Sequence, residues 1–187
     1  MKFNIGAVAL GTMLSAVACG MAHAAEPFTI TSSAFTDNGA LETKNAGNDP
    51  KNPNCVGQNV SPPLSWSNAP AGTASYALLI YDPDGQLGLG VSHQVAYGIP
   101  ADVTSFAEGA LGDTGKNFVR GKSTPGAEAY YGPCPPANTG RHHFLFTVIA
   151  TDLAPDALPA GLTREELFAK LKGHAKGDST IVGRFGR

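Results

Sequence analysis

Glycine and proline punctuate this chain so densely that no long helix finds room: 23 Gly and 14 Pro fall among 187 residues. They crowd most tightly between Gly121 and Gly140. Proline lacks the N–H a helix interior needs, and glycine loses the most backbone freedom on ordering. What survives between them is a set of short apolar runs of strand length. Hydrophobic residues at 42% are enough to build a core, so the chain is not a disordered one. One domain is the expectation at this length. Charged residues make up 15%, the formal charge is −2 and no block of like charge occurs. A nucleic-acid partner held by phosphate neutralisation is thereby excluded. The pattern predicts one turn-rich, mostly β domain.

The N-terminus reads as an address. Lys2 precedes an apolar run from Ile5 to Ala18, and small residues follow, ending in Ala22-His23-Ala24. A positive start, a hydrophobic stretch and an A-x-A site describe a secretory signal peptide over residues 1–24, leaving 25–187 as the domain. The run is too short for a stable membrane span. A lipoprotein signal, with Cys19 lipidated after Ala16-Val17-Ala18, is the rival; Ala16 stands where leucine is usual. Export predicts a periplasmic or secreted protein. It also leaves Cys55 and Cys134 as an even pair in an oxidising compartment. A disulfide between them would tie two Gly/Pro-rich loops and contribute about 4 kcal/mol in the chain-entropy model. Two separate buried thiols are the alternative. No Cys/His zinc spacing is present.

Along the remaining chain, strands are predicted over Phe28–Phe35, Tyr76–Tyr81, Val91–Ile99 and His142–Leu153, with Asn59–Trp66 extended because residues before proline avoid the helical region. Thr36–Gln58 is a polar loop, and Phe118–Tyr131 is ambiguous. Thr163-Arg164-Glu165-Glu166 has capping-box spacing and opens the one well-signalled helix, whose apolar face would be Leu167, Phe168 and Leu171. Strands joined by long crossovers predict a two-sheet Greek-key sandwich rather than βαβ units.

Alternate strand residues share a face. One row is then Tyr76, Leu78, Ile80, Asp82; a second is Val91, His93, Val95, Tyr97, Ile99; a third is His142, Phe144, Phe146, Val148. Each apolar row carries one ionisable residue near an end. If the rows face a shared core, Asp82, His93 and His142 converge at its rim. One carboxylate and two imidazoles in a small apolar pocket suit an anion: imidazoles donate hydrogen bonds, and the carboxylate orients one of them. Pro133, Pro135 and Pro136 would add a rigid rim, and N–H groups near Gly132 could cradle oxygens. Opposed to this stands the plainer reading. Asp-Pro-Asp-Gly is more often a turn in which Asp82 caps its own backbone, and a lone strand histidine is more often structural. His143, on the other parity, faces solvent or a second layer. The same Asp/His/His set would also serve a metal.

Asn59-Val60-Ser61-Pro62-Pro63-Leu64-Ser65-Trp66, Tyr81-Asp82-Pro83-Asp84, Gly132-Pro133-Cys134-Pro135-Pro136 and His142-His143-Phe144 together resemble the phosphatidylethanolamine-binding protein family, and within it the bacterial Raf-kinase-inhibitor-like (YbhB/YbcL) branch. The resemblance runs in motif order from Glu26 to Arg187. It implies a two-sheet antiparallel Greek-key β-sandwich with a few peripheral helices, one near the C-terminus. It also implies a small pocket for phosphate, phosphorylated head groups or other small anions. By motif, Asp82, His93 and His142 match the family's pocket residues, Gly132, Pro135 and Pro136 its pocket loop, and Cys55 and Cys134 the cysteines that exported members look able to pair. Phe144 stands where the family's triplet usually ends in Tyr, which removes a hydroxyl. Gly88-Leu89-Gly90-Val91-Ser92 stands where relatives place tryptophans.

The sequence thus predicts a non-enzymatic, cofactor-free binding module for a small anionic or phosphorylated ligand. A hydrolase or metal-dependent enzyme using the same residues is the alternative, although no Gly-x-Ser-x-Gly or HExxH motif is present. A protein partner reached through the loops, and a homodimer, are further partner classes the sequence leaves open.

Overall fold

The structure, a computed structural model, describes residues 1–2, 26–112 and 115–187. Cys19 and nearly all of the expected signal segment, residues 1–24, lie outside the described residues. Nine strands form two sheets among the described residues. They are β1 (Thr29–Thr31), β2 (Gly39–Ala40), β3 (Leu64–Ser67), β4 (Ser75–Asp82), β5 (Val91–Pro100), β6 (Ser105–Phe106), β7 (Val119–Arg120), β8 (His142–Thr151) and β9 (Ala175–Phe185). The small sheet has the order β1-β3-β6 and the large one β2-β9-β8-β4-β5-β7. The connection from β7 to β8 passes over both β5 and β4, which is the crossover expected of a Greek-key arrangement. Pairing is antiparallel except where β2 meets β9.

The middle of the large sheet, at β4, is buried on both faces. Tyr76, Leu78 and Ile80 of β4 join Phe144, Phe146 and Val148 of β8 and Trp66 of β3 in the core between the sheets. Ala77 and Leu79 face the other way, onto Leu167 and Leu171 of helix α1 (Arg164–Leu171). This is why β4 reads as an unbroken apolar run rather than an alternating one. The helix begins as its sequence dictates: Glu166 N–H donates to Thr163 Oγ1 and Thr163 N–H to Glu166 Oε2, a complete capping box. That exchange satisfies two amides with no partner inside the helix and stabilises it by about 1 kcal/mol.

Three expectations are corrected, and one strand is new. The first strand is only Thr29–Thr31, because the chain turns toward Phe35, which enters the core by itself. Phe168 is not on the buried face of α1; it lies outward with the Arg164 guanidinium 4.5 Å from its ring. The long C-terminal strand β9 was not legible, since its first half, Ala175 to Thr180, is polar and largely exposed. The row Val91, His93, Val95, Tyr97, Ile99 does not share one face. Register shifts interrupt β5 opposite Tyr76/Leu78 and opposite Ile80/Tyr81. Val95 and Tyr97 therefore pack toward α1 while Ile99 packs toward the small sheet. An extra residue in one strand of an antiparallel pair reverses the side-chain parity beyond it.

Cys55 and Cys134 form a disulfide that closes 79 residues, with Cα atoms 4.6 Å apart. It joins the polar loop before β3 to the proline-rich loop before β8, two stretches with almost no regular structure between them to hold their place.

Candidate functional site

The ends of three neighbouring strands meet at one place. β4 and β8 run antiparallel with Tyr81 opposite Leu145, so the end of β4 at Asp82 comes near the start of β8 at His142. Their side chains are bonded, His142 Nδ1 to Asp82 Oδ2 at 2.8 Å, and both are buried, at 8% and 4% exposure. The other carboxylate oxygen, Oδ1, accepts the N–H groups of Asp84 and Gly85 at 2.9 and 3.1 Å. Asp82 therefore caps its own turn and orients His142 at once, so the two readings of that residue are not rivals. Gly85 is needed for this approach: a Cβ there would sit 3.1 Å from Asp82 Oδ2 and 2.7 Å from Val91 Cγ2.

His93 reaches the site because it is the extra residue of the β5 bulge, standing between Ser92, opposite Tyr81, and Gln94, opposite Ile80. Its Nδ1–H donates to the carbonyl of Tyr131 at 2.6 Å. The tautomer follows, since a carbonyl only accepts. Nε2 is buried with no hydrogen-bond partner among the described residues. Burial is the main cause that pushes the His93 pKa below its ordinary value, against the pull of the Tyr131 carbonyl and Asp82. His93 is thus a neutral imidazole that anchors the loop after Tyr131. Phe144 lies against both rings, edge-on to His93 at 5.2 Å and stacked on His142 at 6.5 Å.

The His93 environment has a pH consequence. A histidine in the unfolded chain titrates near pH 6.5, whereas folded His93 resists the proton. Below that pH the unfolded state binds more protons, so stability falls as pH falls, with a limiting slope of about 1.4 kcal/mol per pH unit for one such group. Urea unfolding midpoints from pH 7.5 down to 5 are expected to decline for wild type and to decline less steeply for His93→Asn.

Above these residues lies a cavity of about 320 Å³. Asp82, His93 and His142 line it together with Pro135 and Pro136. Of the sequence-named residues, Gly132, Pro133 and Phe144 do not line it. The N–H of Gly132 is taken by Asn59 Oδ1 at 2.8 Å, so it is not free to cradle a ligand oxygen. Gly132 is needed for passage instead, since a Cβ would come within 2.2 Å of the Asn45 carbonyl oxygen. His143 lies outward and bonds Asp84 Oδ2 at 2.8 Å.

Several lining residues escaped sequence reasoning: Asn52, Gln86, Thr124 and Tyr131. None carries a motif, and each enters the wall through loop geometry. Cys134, marked only as a disulfide partner, also lines the cavity, so the bridge is part of the wall. Among the described residues no Lys or Arg lines the cavity, and no three of His, Cys, Asp or Glu are grouped as metal ligands. Charge there is confined to Asp82, already met by two amides and an imidazole. His142 Nε2 has Thr139 Oγ1, at 3.4 Å, as its one neighbour within hydrogen-bond distance among the described residues.

Comparison with known proteins gives a consistent picture. A family model described as phosphatidylethanolamine-binding protein matches residues 31–186. LppC of Mycobacterium tuberculosis, named as a candidate lipoprotein, is 38% identical over 164 residues, spanning 88% of this chain and 75% of that one. A UPF0098 protein of Methanothermobacter thermautotrophicus is 34% identical over 157 residues, spanning 82% and 95%. The crystal structure of E. coli YbcL, described as a member of the mammalian PEBP family, superposes with a TM-score of 0.77 at 28% identity, covering 86% of this chain and 98% of that one.

Proposed function

The chain belongs to the phosphatidylethanolamine-binding protein family, and from that membership we propose that it is an exported binding protein for a small anionic or phosphorylated ligand. One observation carries the reading: the buried Asp82–His142 pair, 2.8 Å apart, lies at the wall of an open cavity of about 320 Å³. Asp82 accepts the Nδ1–H of His142 and leaves Nε2 to the ligand, as a donor to an anion once the imidazole carries its second proton. His93 and Phe144 form the dry backing of that ring. Pro135 and Pro136 supply a wall that loses little freedom when a ligand arrives, and Gly132 lets the loop pass close enough to form it.

The test is calorimetric titration with inorganic phosphate and with phosphorylethanolamine. Saturable heat of 1:1 stoichiometry is expected. Its absence for both ligands would sink the reading.

Export rests on Lys2, the apolar run to Ala18 and Ala22-His23-Ala24. The Cys55–Cys134 bridge suits an oxidising compartment. Among the described residues no helix is long and apolar enough to cross a membrane. In a Gram-negative host, the intact mass of the protein from the periplasm is expected to be that of a chain beginning at Ala25. A diacylated Cys19 at the N-terminus would reassign the cleavage to a lipoprotein route.

A further inference from the structure

Beside the first cavity lies a second, of about 390 Å³, and Gln86, Pro136 and His142 line both. A molecule held at His142 can therefore extend into the second without leaving the protein surface. Two charged groups line this groove in addition to His142: Asp84 and Arg141. Asp84 is already satisfied. Its Oδ2 accepts the backbone N–H of His143 and faces His143 Nδ1, both at 2.8 Å, and that partner holds its carboxyl below the usual range. Arg141 is exposed, and among the described residues its guanidinium has no hydrogen bond or ion pair. Arg141 is thus the charged side chain of the groove that no other described residue engages.

The apolar side of the groove is Leu87, whose side chain is fully exposed. Gln86 and Leu87 both adopt left-handed backbone, with φ of 50° and 61°, a conformation that costs a non-glycine residue about 1 kcal/mol or more. The bond from Gly90 N–H to the Gly85 carbonyl, 2.9 Å, closes the turn that holds them there. The chain accepts that strain at the ridge shared by the two cavities.

We propose that the two cavities are one bipartite site, which takes a small phosphorylated molecule bearing a second anionic group: the phosphoryl group at His142 and the second anion, a carboxylate, at Arg141. The first half rests on the reading given under Proposed function; the second half is independent of it. Guanidinium pairs with carboxylate through two parallel hydrogen bonds, a geometry ammonium does not offer. Because Arg141 is exposed, the gain is modest, about five- to tenfold in affinity.

O-phosphoserine and phosphorylethanolamine differ only in a carboxylate, so their comparison isolates the second half. Wild type is expected to bind O-phosphoserine about five- to tenfold more tightly. In Arg141→Ala that preference should vanish while phosphorylethanolamine binds as before. Glycerophosphoserine, with the same carboxylate on a phosphodiester, runs in parallel; an Arg141-dependent gain with either serine ligand supports the proposal and tells a free monoester from a lipid head group. Equal binding of all three ligands by wild type, or a preference that survives in Arg141→Ala, overturns it while leaving the first cavity's role intact. Failure of wild type to bind any of them overturns both.

Discussion

Replacing His142 with alanine is expected to weaken phosphate and phosphorylethanolamine binding by about 10- to 100-fold, the size of one hydrogen bond to a charged group. Two effects add. The variant removes the imidazole edge whose Nε2 faces the cavity, and it strips Asp82 Oδ2 of its 2.8 Å partner. The bared carboxylate then repels the anion it formerly helped to hold. Asp82→Asn separates the two effects. The amide oxygen still accepts from Asp84 and Gly85, but its NH₂ group now donates to His142 Nδ1, which moves the N–H of the neutral ring to Nε2. Titration calorimetry on both variants, with circular dichroism to confirm the fold, reads the result. Unchanged affinity in His142→Ala would remove this residue from the binding site.

The double variant Cys55→Ser/Cys134→Ser is expected to lose about 4 kcal/mol of stability, the chain-entropy figure for a loop of 79 residues. For a domain of this size that corresponds to a fall of about 10 °C in Tm. The same loops are also held by Asn59 Nδ2 to the Tyr130 carbonyl at 2.8 Å and by Tyr130 Oη to the Asn45 carbonyl at 2.8 Å. These bonds hold the folded loops together but do nothing to restrict the unfolded chain. Differential scanning calorimetry of the variant, and of wild type with and without dithiothreitol, checks the magnitude. Since Cys134 also lines the cavity, ligand affinity should fall alongside.

What could be read from the residues followed periodicity and local chemistry. The alternation His142, Phe144, Phe146, Val148 places that face of β8 correctly, and the Thr163–Glu166 spacing locates the start of α1. Asp82 and His142 could be paired because each ends an apolar row. His93 was named for the right place by an argument that fails along β5, where a bulge turns it inward and sends Val95 and Tyr97 to the other face. Bulges leave little mark in composition; of this one there is none, and of the other only Gly98, at φ 59°. Strand β9 escaped because an edge that faces water has no hydrophobic alternation to show until Ile181. That N–H groups near Gly132 could cradle ligand oxygens does not hold for Gly132 itself, because Asn59, 73 positions away in the chain, takes that bond and leaves no local sign of it.

The cavity borrows its walls from Asn52, Asp82, His93, Thr124, Pro136 and His142, contributions scattered over half the polypeptide and interleaved in space. A fragment that lacks any of these stretches lacks part of the wall. Occupancy and folding are therefore thermodynamically linked: free ligand at a hundred times its Kd raises global stability by about 2.7 kcal/mol. A small solute that fits the cavity would then act as a folding aid as well as a ligand.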